Sequence, residues 1–460
     1  MSVFAAAFEA VGRAQPLRIS GRVAALRGLT VLVDELPAPV GSLVKFGRSP
    51  DVARAGGALF GEVVGFSREQ AIVMVLGQTT GISPGDEVVW EQTSQTAPVG
   101  ASLLGRVVDG LGRPIDGKGP AHDRVHLPIN PEPIAALTRR PIRQPLRTGL
   151  RVIDLMTPLG RGQRMGIFAG PGVGKSTLLG SIAKRTEADV NVIALIGERG
   201  REVQDFIAHS LGPEGLARSV VVVATGDESP LLRLRAAKLA CTAAEYFRDR
   251  GLDVLLMMDS VTRFAHAQRQ VGLSVGEPPA SKGYTPSVFA QLALLLERAG
   301  AVKRSGDKGS ITGLYTILVE GDDMTEPIAD AARGILDGHV ILSRKLAHKG
   351  QFPAVDVLDS VSRVADEVIT PEHSAARRQV CRMMAMYKEV EDLVQIGAYA
   401  KGSNPESDVA IEANRAIVEL LRQGKDDAVP FEQARGTLLK LAKDTAETTQ
   451  KLMRARGGGR

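Results

Sequence analysis

Along this chain, short apolar runs broken by glycine come first. Longer apolar runs alternating with mixed-polarity stretches follow, and the last part has no strand-like run at all. From Leu17 to about Trp90 the segments Ile19–Val23, Leu29–Val33, Gly61–Gly65 and Ala71–Leu76 recur at hairpin spacing. Six or so strands with such turns predict a small β-barrel over residues 17–95. Between about 96 and 370, runs such as Val190–Ile196 and Val220–Ala224 are apolar at every position or nearly so, with helical stretches such as 231–249 between them. Buried parallel strands alternating with helices predict an α/β domain over 96–370. Past 371, the stretches 373–397, 405–423 and 431–453 have helix-forming composition with Pro and Gly at their borders. They predict a C-terminal helical domain over 371–460. Residues 1–13 place Phe4, Phe8 and Val11 on one side of a short amphipathic helix, so residues 1–16 form a separate N-terminal segment.

Composition narrows the class without changing this division. The chain has 460 residues, 44% hydrophobic and 24% charged, enough for two or three domains with buried cores. No apolar stretch approaches the roughly 20 residues of a membrane span. The N-terminus lacks a basic region and carries Glu9, which argues against a secretory signal. Cys241 and Cys381 are the only two cysteines, read as buried thiols in a reducing cytosol. The net charge of +5 is spread along the chain, with a basic tail at Arg454–Arg460. That balance permits an anionic partner without specifying one.

The run Ala169-Gly170-Pro171-Gly172-Val173-Gly174-Lys175-Ser176-Thr177 follows the apolar Met165–Phe168 and leads into Leu178–Ala183. Strand, glycine-rich loop and helix in that order form a phosphate cradle. The glycines let backbone N–H groups turn inward, and the helix N-terminus adds partial positive charge. Lys175 then reaches the β- and γ-phosphates and the Ser176 hydroxyl ligates Mg²⁺. The pattern G-x-x-x-x-G-K-[ST] wants glycine where this chain has Ala169; the Gly-Lys-Ser core is intact.

Binding alone does not hydrolyse a nucleoside triphosphate; that needs a group acting on water, a second contributor to the Mg²⁺ site, and positive charge for the transition state. Asp259 ends the apolar run Val254–Met258, at a strand's C-terminal edge, where it either holds Mg²⁺ through water or caps the next helix. Glu198 follows the strand ending at Ile196, placed to polarise water or to sit in a solvated charged turn. Arg363 lies about 190 residues beyond the loop. It is either a structural ion-pairing residue or an arginine finger reaching a neighbouring subunit.

In order and spacing these residues match a family. From about residue 17 to 445 the chain resembles the catalytic subunits of rotary-type ATPases, and among them most of all the ATPases of type III protein export, the flagellar ones especially. The resemblance is carried by GRGQRMGIFAGPGVGKST, IGERGREV, LLMMDSVTRFAHAQRQ, GEPPASKGYTPSVFAQLALLLERAG, VEGDDMTEPIADAARGILDGHVILSRKLA and FPAVDVLDSVSR. It implies a small N-terminal β-barrel, a central RecA-like P-loop domain and a C-terminal α-helical domain. It implies ATP and Mg²⁺ as substrate and cofactor, with Glu198 activating water, Arg199 and Arg263 lining the γ-phosphate, and Asp259 in the second Mg²⁺-site role. Arg363 maps to the finger that acts across the subunit interface. Phe352 falls where an aromatic ring meets adenine, and Tyr399 offers a second ring. The resemblance further implies a homohexamer at the cytoplasmic face of the inner membrane. Its implied partners are the export apparatus, chaperone–substrate complexes and a regulatory stator-like protein docking on residues 1–13.

Other readings compete. A virulence injectisome uses the same machine, although the GPGVG loop and the block ending SRKLAHKG look more flagellar. A catalytic subunit of ATP synthase would be acidic, and this chain is basic. An RNA-driven hexameric translocase needs a barrel with clustered stacking aromatics. Residues 17–90 offer Phe46, Phe60, Phe66 and Trp90 with no such cluster, so no specific nucleic-acid partner is expected. An inactive ring scaffold is disfavoured by the intact Lys175, Glu198 and Asp259.

Overall fold

A computed structural model describes residues 18–47, 58–92, 95–303, 308–319, 321, 323–425 and 427–457. The N-terminal segment expected to dock a partner lies outside the described residues.

Alternating polarity in the first part closes into a six-stranded antiparallel barrel. The strands run in the order Ser20–Arg27, Thr30–Asp34, Gln70–Val75, Leu59–Ser67, Leu43–Phe46 and Glu87–Gln92, and the last pairs back to the first. Closure removes sheet edges. Val31, Val33, Val44, Val63 and Val73 fill the interior to the exclusion of water. The packing is tight enough that a Cβ at Gly61 would lie 2.7 Å from Val73 and 2.9 Å from the Phe46 ring.

The central domain is built on a sheet whose main path runs Val355–Ser362, Gly338–Leu342, Arg164–Ala169, Ser310–Leu318, Asp253–Asp259, Val190–Ile196, Ser219–Ala224 and Arg106–Asp109. Along this path every pairing is parallel except that of the first two strands. Val190–Ile196 and Ser219–Ala224 are buried at every position, as expected of parallel strands covered on both faces. The helix Pro230–Arg248 is buried along its whole length. Ser229 starts it by accepting from the Leu232 N–H, and Pro230 occupies its first position. Small residues (Ala236, Ala237, Ala240, Ala243 and Ala244) let it lie close to the sheet.

Register decides where chemistry can happen. Ala169 pairs with Leu318 and Leu342, Leu195 with Asp259, and Ile196 with Ala224, so these strands end together on one edge. In such sheets ligands bind outside the carboxyl ends of the strands.

Three helices, Pro371–Gln395, Pro405–Leu421 and Phe431–Gly457, form the C-terminal domain. Thr370 and Asn404 cap the first two, with side chains accepting from His373 N–H and Glu406 N–H. Val380, Met383, Ile417 and Leu438 join the cluster that contains Leu178 and Ile182 of the helix behind the glycine-rich loop. The helical domain is thus packed onto the phosphate-loop side of the sheet.

Candidate active site

The strand Arg164–Ala169 ends in the loop and resumes as the helix Lys175–Arg185. Gly172 (φ +77°) and Gly174 (φ +88°) adopt left-handed conformations that side chains disfavour. Gly174 caps the helix in that conformation, leaving the first N–H groups without a side-chain acceptor. Pro171, Gly172, Ser176 and Thr177 are exposed, whereas Gly170 and Val173 are buried and anchor the loop to the core together with Ala169. No atom lies within 4 Å of where a Gly172 Cβ would stand, so the space beside this part of the loop is open.

Lys175, Glu198 and Asp259 converge on one point. The Lys175 ammonium donates to Asp259 Oδ1 at 2.5 Å and lies 3.7 Å from Glu198 Oε1. Asp259 Oδ1 also accepts from the Thr316 hydroxyl at 2.7 Å. Thr316 lies on the strand between the loop strand and the Asp259 strand, so it fixes the carboxylate from its flank. A polar residue in the otherwise apolar run Leu314–Leu318 was a signal for it that the sequence analysis passed over.

Glu198 sits in a turn held by neighbouring strands. Gly197 (φ +72°) donates its N–H to the Ala224 carbonyl at 2.6 Å, and the Gly226 N–H donates to the Glu198 carbonyl at 3.1 Å. The buried Oε1 of Glu198 accepts no hydrogen bond from the chain. Burial first, and the nearby Asp259 charge second, push the Glu198 carboxyl up to about 7, against the opposing pull of Lys175. A carboxyl poised near neutral pH beside a phosphate cradle suits a general base.

Arg263 packs over Gly197: a Cβ on that glycine would fall 2.8 Å from the Arg263 Cβ. Its guanidinium makes no ion pair with a described carboxylate, and its buried Nε is unbonded. Phe352 lies on the other flank, 3.6 Å from the position of a Gly174 Cβ, with 45% of its surface exposed. Its carbonyl accepts from the Gln423 N–H. Gln423 also accepts from the Arg151 N–H and donates to the carbonyls of Gly149 and Asp427. This residue fixes the wall beside Phe352, and nothing in its sequence surroundings marked it.

Three expected residues lie elsewhere. Arg199 is expected to line the γ-phosphate, but its side chain is 85% exposed and pairs with Glu202 at 3.4 Å. Successive residues of extended backbone point to opposite sides, so a turn that aims Glu198 inward turns Arg199 outward. Tyr399 is expected beside adenine. Instead it occupies the turn between the first two C-terminal helices, its hydroxyl donating to Asp408 Oδ1 at 2.9 Å. The last fully buried residue of the preceding helix is Met383, and the helix continues to Gln395, roughly 18 Å further. Tyr399 lies four residues past the end of that helix, tied to the second C-terminal helix through Asp408. Arg363 follows the strand Val355–Ser362, whose Val355 end pairs with Leu342 beside Ala169 and whose Ser362 end pairs with Gly338. Arg363 is therefore at the opposite edge of the sheet, roughly 16 Å along the strand from its own loop.

Among the described residues no cluster of three or more His, Cys, Asp or Glu could hold a metal. The pair Ser176 and Asp259 nevertheless fits Mg²⁺, which takes one or two protein oxygens and fills its octahedron with waters and substrate phosphates. No described helix is long and apolar enough to cross a membrane.

Known proteins are similar to this chain in sequence and fold. Residues 18–90 match the model of the ATP synthase alpha/beta family β-barrel domain, and 149–362 that family's nucleotide-binding domain. Residues 369–440 match the T3SS EscN ATPase C-terminal domain. A flagellum-specific ATP synthase of Treponema pallidum is 50% identical over 427 residues, covering 92% of this chain and 93% of the relative. A type 3 secretion system ATPase of Xanthomonas euvesicatoria is 50% identical over 406 residues, covering 88% and 91%. The assembled ATPase EscN from the type III secretion system of enteropathogenic E. coli superposes with a TM-score of 0.85 at 41% identity, over 92% of this chain and all of that one. With the phosphate loop, the buried carboxylate and the barrel–sheet–helix order all in place, the chain belongs to the ATP synthase alpha/beta family and, within it, to the ATPases of flagellar and type III export.

Proposed function

We propose that this protein is the Mg²⁺-dependent ATP hydrolase that energises export of flagellar proteins, releasing chaperone-bound substrates at the export gate. The observation that carries the hydrolytic part is the convergence of Lys175, Asp259 and Glu198 beside the open loop. Loop N–H groups and Lys175 bind the β- and γ-phosphates, and the phosphates replace Asp259 as acceptors for the Lys175 ammonium. Ser176 and Asp259 would hold Mg²⁺, which would offset charge on the phosphates. Glu198, deprotonated, takes a proton from the water aligned with the γ-phosphate. Arg263 supplies positive charge from above the Gly197 turn. Phe352 stacks on adenine.

Arg363 belongs to the site of the next subunit in a homohexamer, which its distance from its own loop supports. The assembled EscN relative, solved also in complex with its central stalk EscO, supports a ring with a regulatory partner. The ring works in the cytoplasm, peripheral to the inner membrane. The type 3 secretion relative supports a second reading, the same motor in an injectisome. Restored motility in a flagellate strain lacking its own export ATPase favours the first; rescue of effector secretion alone favours the second.

The central test is Glu198→Gln. Hydrolysis is expected to fall by about 1,000-fold or more while binding of a fluorescent ATP analogue is retained. Lys175→Ala is expected to lose binding as well. Turnover unchanged in Glu198→Gln overturns the assignment of the base.

A further inference from the structure

The block that carries the phosphate loop opens with Gly160-Arg161-Gly162-Gln163-Arg164, at the end of the loop strand away from the nucleotide. Gln163 is 0% exposed and uses its whole amide. Its Oε1 accepts from the Gly160 N–H at 2.9 Å, and its Nε2 donates to the Asp337 carbonyl at 3.2 Å and to Ser362 Oγ at 3.0 Å. Arg164 clamps the Asp337 carboxylate: its N–H and Nε donate to Oδ2 at 3.0 and 3.1 Å, and its Nη2 donates to Oδ1 at 3.0 Å. The Arg164 carbonyl accepts in return from the Asp337 N–H at 2.8 Å. All of these bonds meet where Arg363 leaves the sheet. The Arg363 N–H donates to the Asp337 carbonyl at 3.0 Å, and Ser362, beside it, donates to the Pro158 carbonyl at 2.8 Å. The Arg363 side chain is exposed, bonded through Nη2 to the Arg333 carbonyl, and pairs with no carboxylate among the described residues. A buried polar network with its partners matched holds rigid whatever it touches. Here that is the peptide from which an exposed, uncommitted guanidinium projects.

We infer that Gln163, Arg164 and Asp337 are positioning residues for Arg363, aiming it at the nucleotide of the next subunit. The inference rests on the proposed role of Arg363 across the interface. Register supports it: Gly166 pairs with His339, and Gly338 with Ser362, so the starts of the loop strand and its neighbour stand beside the end of the strand that leads to Arg363. The strand Arg164–Ala169 is thus shared between two sites. Its last residue enters the loop of its own site, and its first, roughly 17 Å away, holds the arginine that serves the next. A fault at Gln163 is therefore felt in the neighbour's site, although Gln163 lies on the strand of its own loop.

Subunit mixing tells the two sites apart. Gln163→Met keeps the length of the side chain and removes the donor to Asp337 and Ser362. Rings of this variant are expected to show a kcat lowered by about tenfold or more, as for a misplaced group. Their KM for ATP should change by less than about twofold. Mixed in equal amounts with Glu198→Gln subunits, turnover should rise to about a quarter of wild type. A Gln163→Met subunit then keeps its own loop and base and takes a well-placed Arg363 from its neighbour. Mixed with Arg363→Ala subunits, turnover should not exceed the average of the two variants alone, because neither supplies a working arginine. Any rise above that average places the fault in the subunit's own loop and overturns the inference. Wild-type kcat in Gln163→Met overturns it too. If Gln163→Met forms no rings by mass, Asp337→Asn, which weakens the Arg164 clamp and keeps the side-chain shape, is expected to follow the same pattern. Loss of rings in both variants makes the network structural and overturns the inference. Arg363→Ala mixed with Glu198→Gln separates the inference from the reading beneath it. No recovery there removes the role of Arg363 itself, whereas recovery there with none for Gln163→Met removes only the inference.

Discussion

A carboxylate that takes a proton from water must be charged when substrate arrives, yet burial favours its neutral form. In Glu198 the second effect wins over the pull of Lys175, lifting the carboxyl to about 7. Two consequences have opposite signs. For activity, kcat/KM for ATP should rise with pH and level off above about 7, as the base of the free enzyme loses its proton. Glu202 raises the Glu198 carboxyl through a hydrogen bond and its own charge, so Glu202→Gln is expected to move the rising limb to lower pH. For stability, the folded carboxyl titrates above its ordinary 4.5, so between about 4.5 and 7 the native state holds more protons than the unfolded one. Stability therefore falls as pH rises through that window. Glu198→Gln should flatten the fall, a change read from thermal midpoints taken at several pH values. A profile identical to wild type would mean that the raised carboxyl belongs to another group.

At the scale of elements, what was legible in the chain is what depends on local pattern. The loop, its strand and its helix were set by glycine spacing and an apolar run, and Asp259 and Glu198 by their place after two such runs. The same holds for the barrel, the alternating central domain and the three helices. Gln423 was not legible, because it acts through a neighbour distant in sequence, Phe352; Thr316 was marked by its polarity in an apolar run, but its partner Asp259 was not. Arg199 and Tyr399 mark the other limit. The first is adjacent to Glu198, the proposed base, but faces away from it, and the second sits in the turn after the first C-terminal helix. Their fates make a paired prediction. Phe352→Ala removes the ring that lies on Gly174 and should raise the KM for ATP by about tenfold, in line with the loss of an aromatic stacking contact. Tyr399→Ala should leave that KM unchanged. Steady-state hydrolysis at several ATP concentrations distinguishes them, and a KM raised in Tyr399→Ala alone would return the second ring to the adenine site.

The whole molecule is asymmetric in a way that a single chain cannot resolve by itself. Lys175, Glu198 and Asp259 stand at one edge of the sheet, and Arg363, bonded through Nη2 to the Arg333 carbonyl and through its N–H to the Asp337 carbonyl, stands at the other. An extended strand cannot bend to bring its two ends together, so one copy cannot combine both groups. A closed ring can, since each head-to-tail interface joins one edge of a subunit to the opposite edge of the next. This has a consequence for mixtures. Arg363→Ala and Glu198→Gln subunits are each expected to form inactive rings. In a ring assembled from both, an Arg363→Ala subunit offers an intact loop and Glu198, and a Glu198→Gln neighbour on the correct side offers an intact Arg363. Random mixing in equal amounts makes about a quarter of the interfaces complete on one side. Hydrolysis should therefore reappear on mixing and grow with the fraction of mixed rings, up to about a quarter of the wild-type rate for independent sites. If mixed rings form, as seen by mass, and no activity returns, then Arg363 does not act on its neighbour's nucleotide and the site needs its positive charge from Arg263 alone.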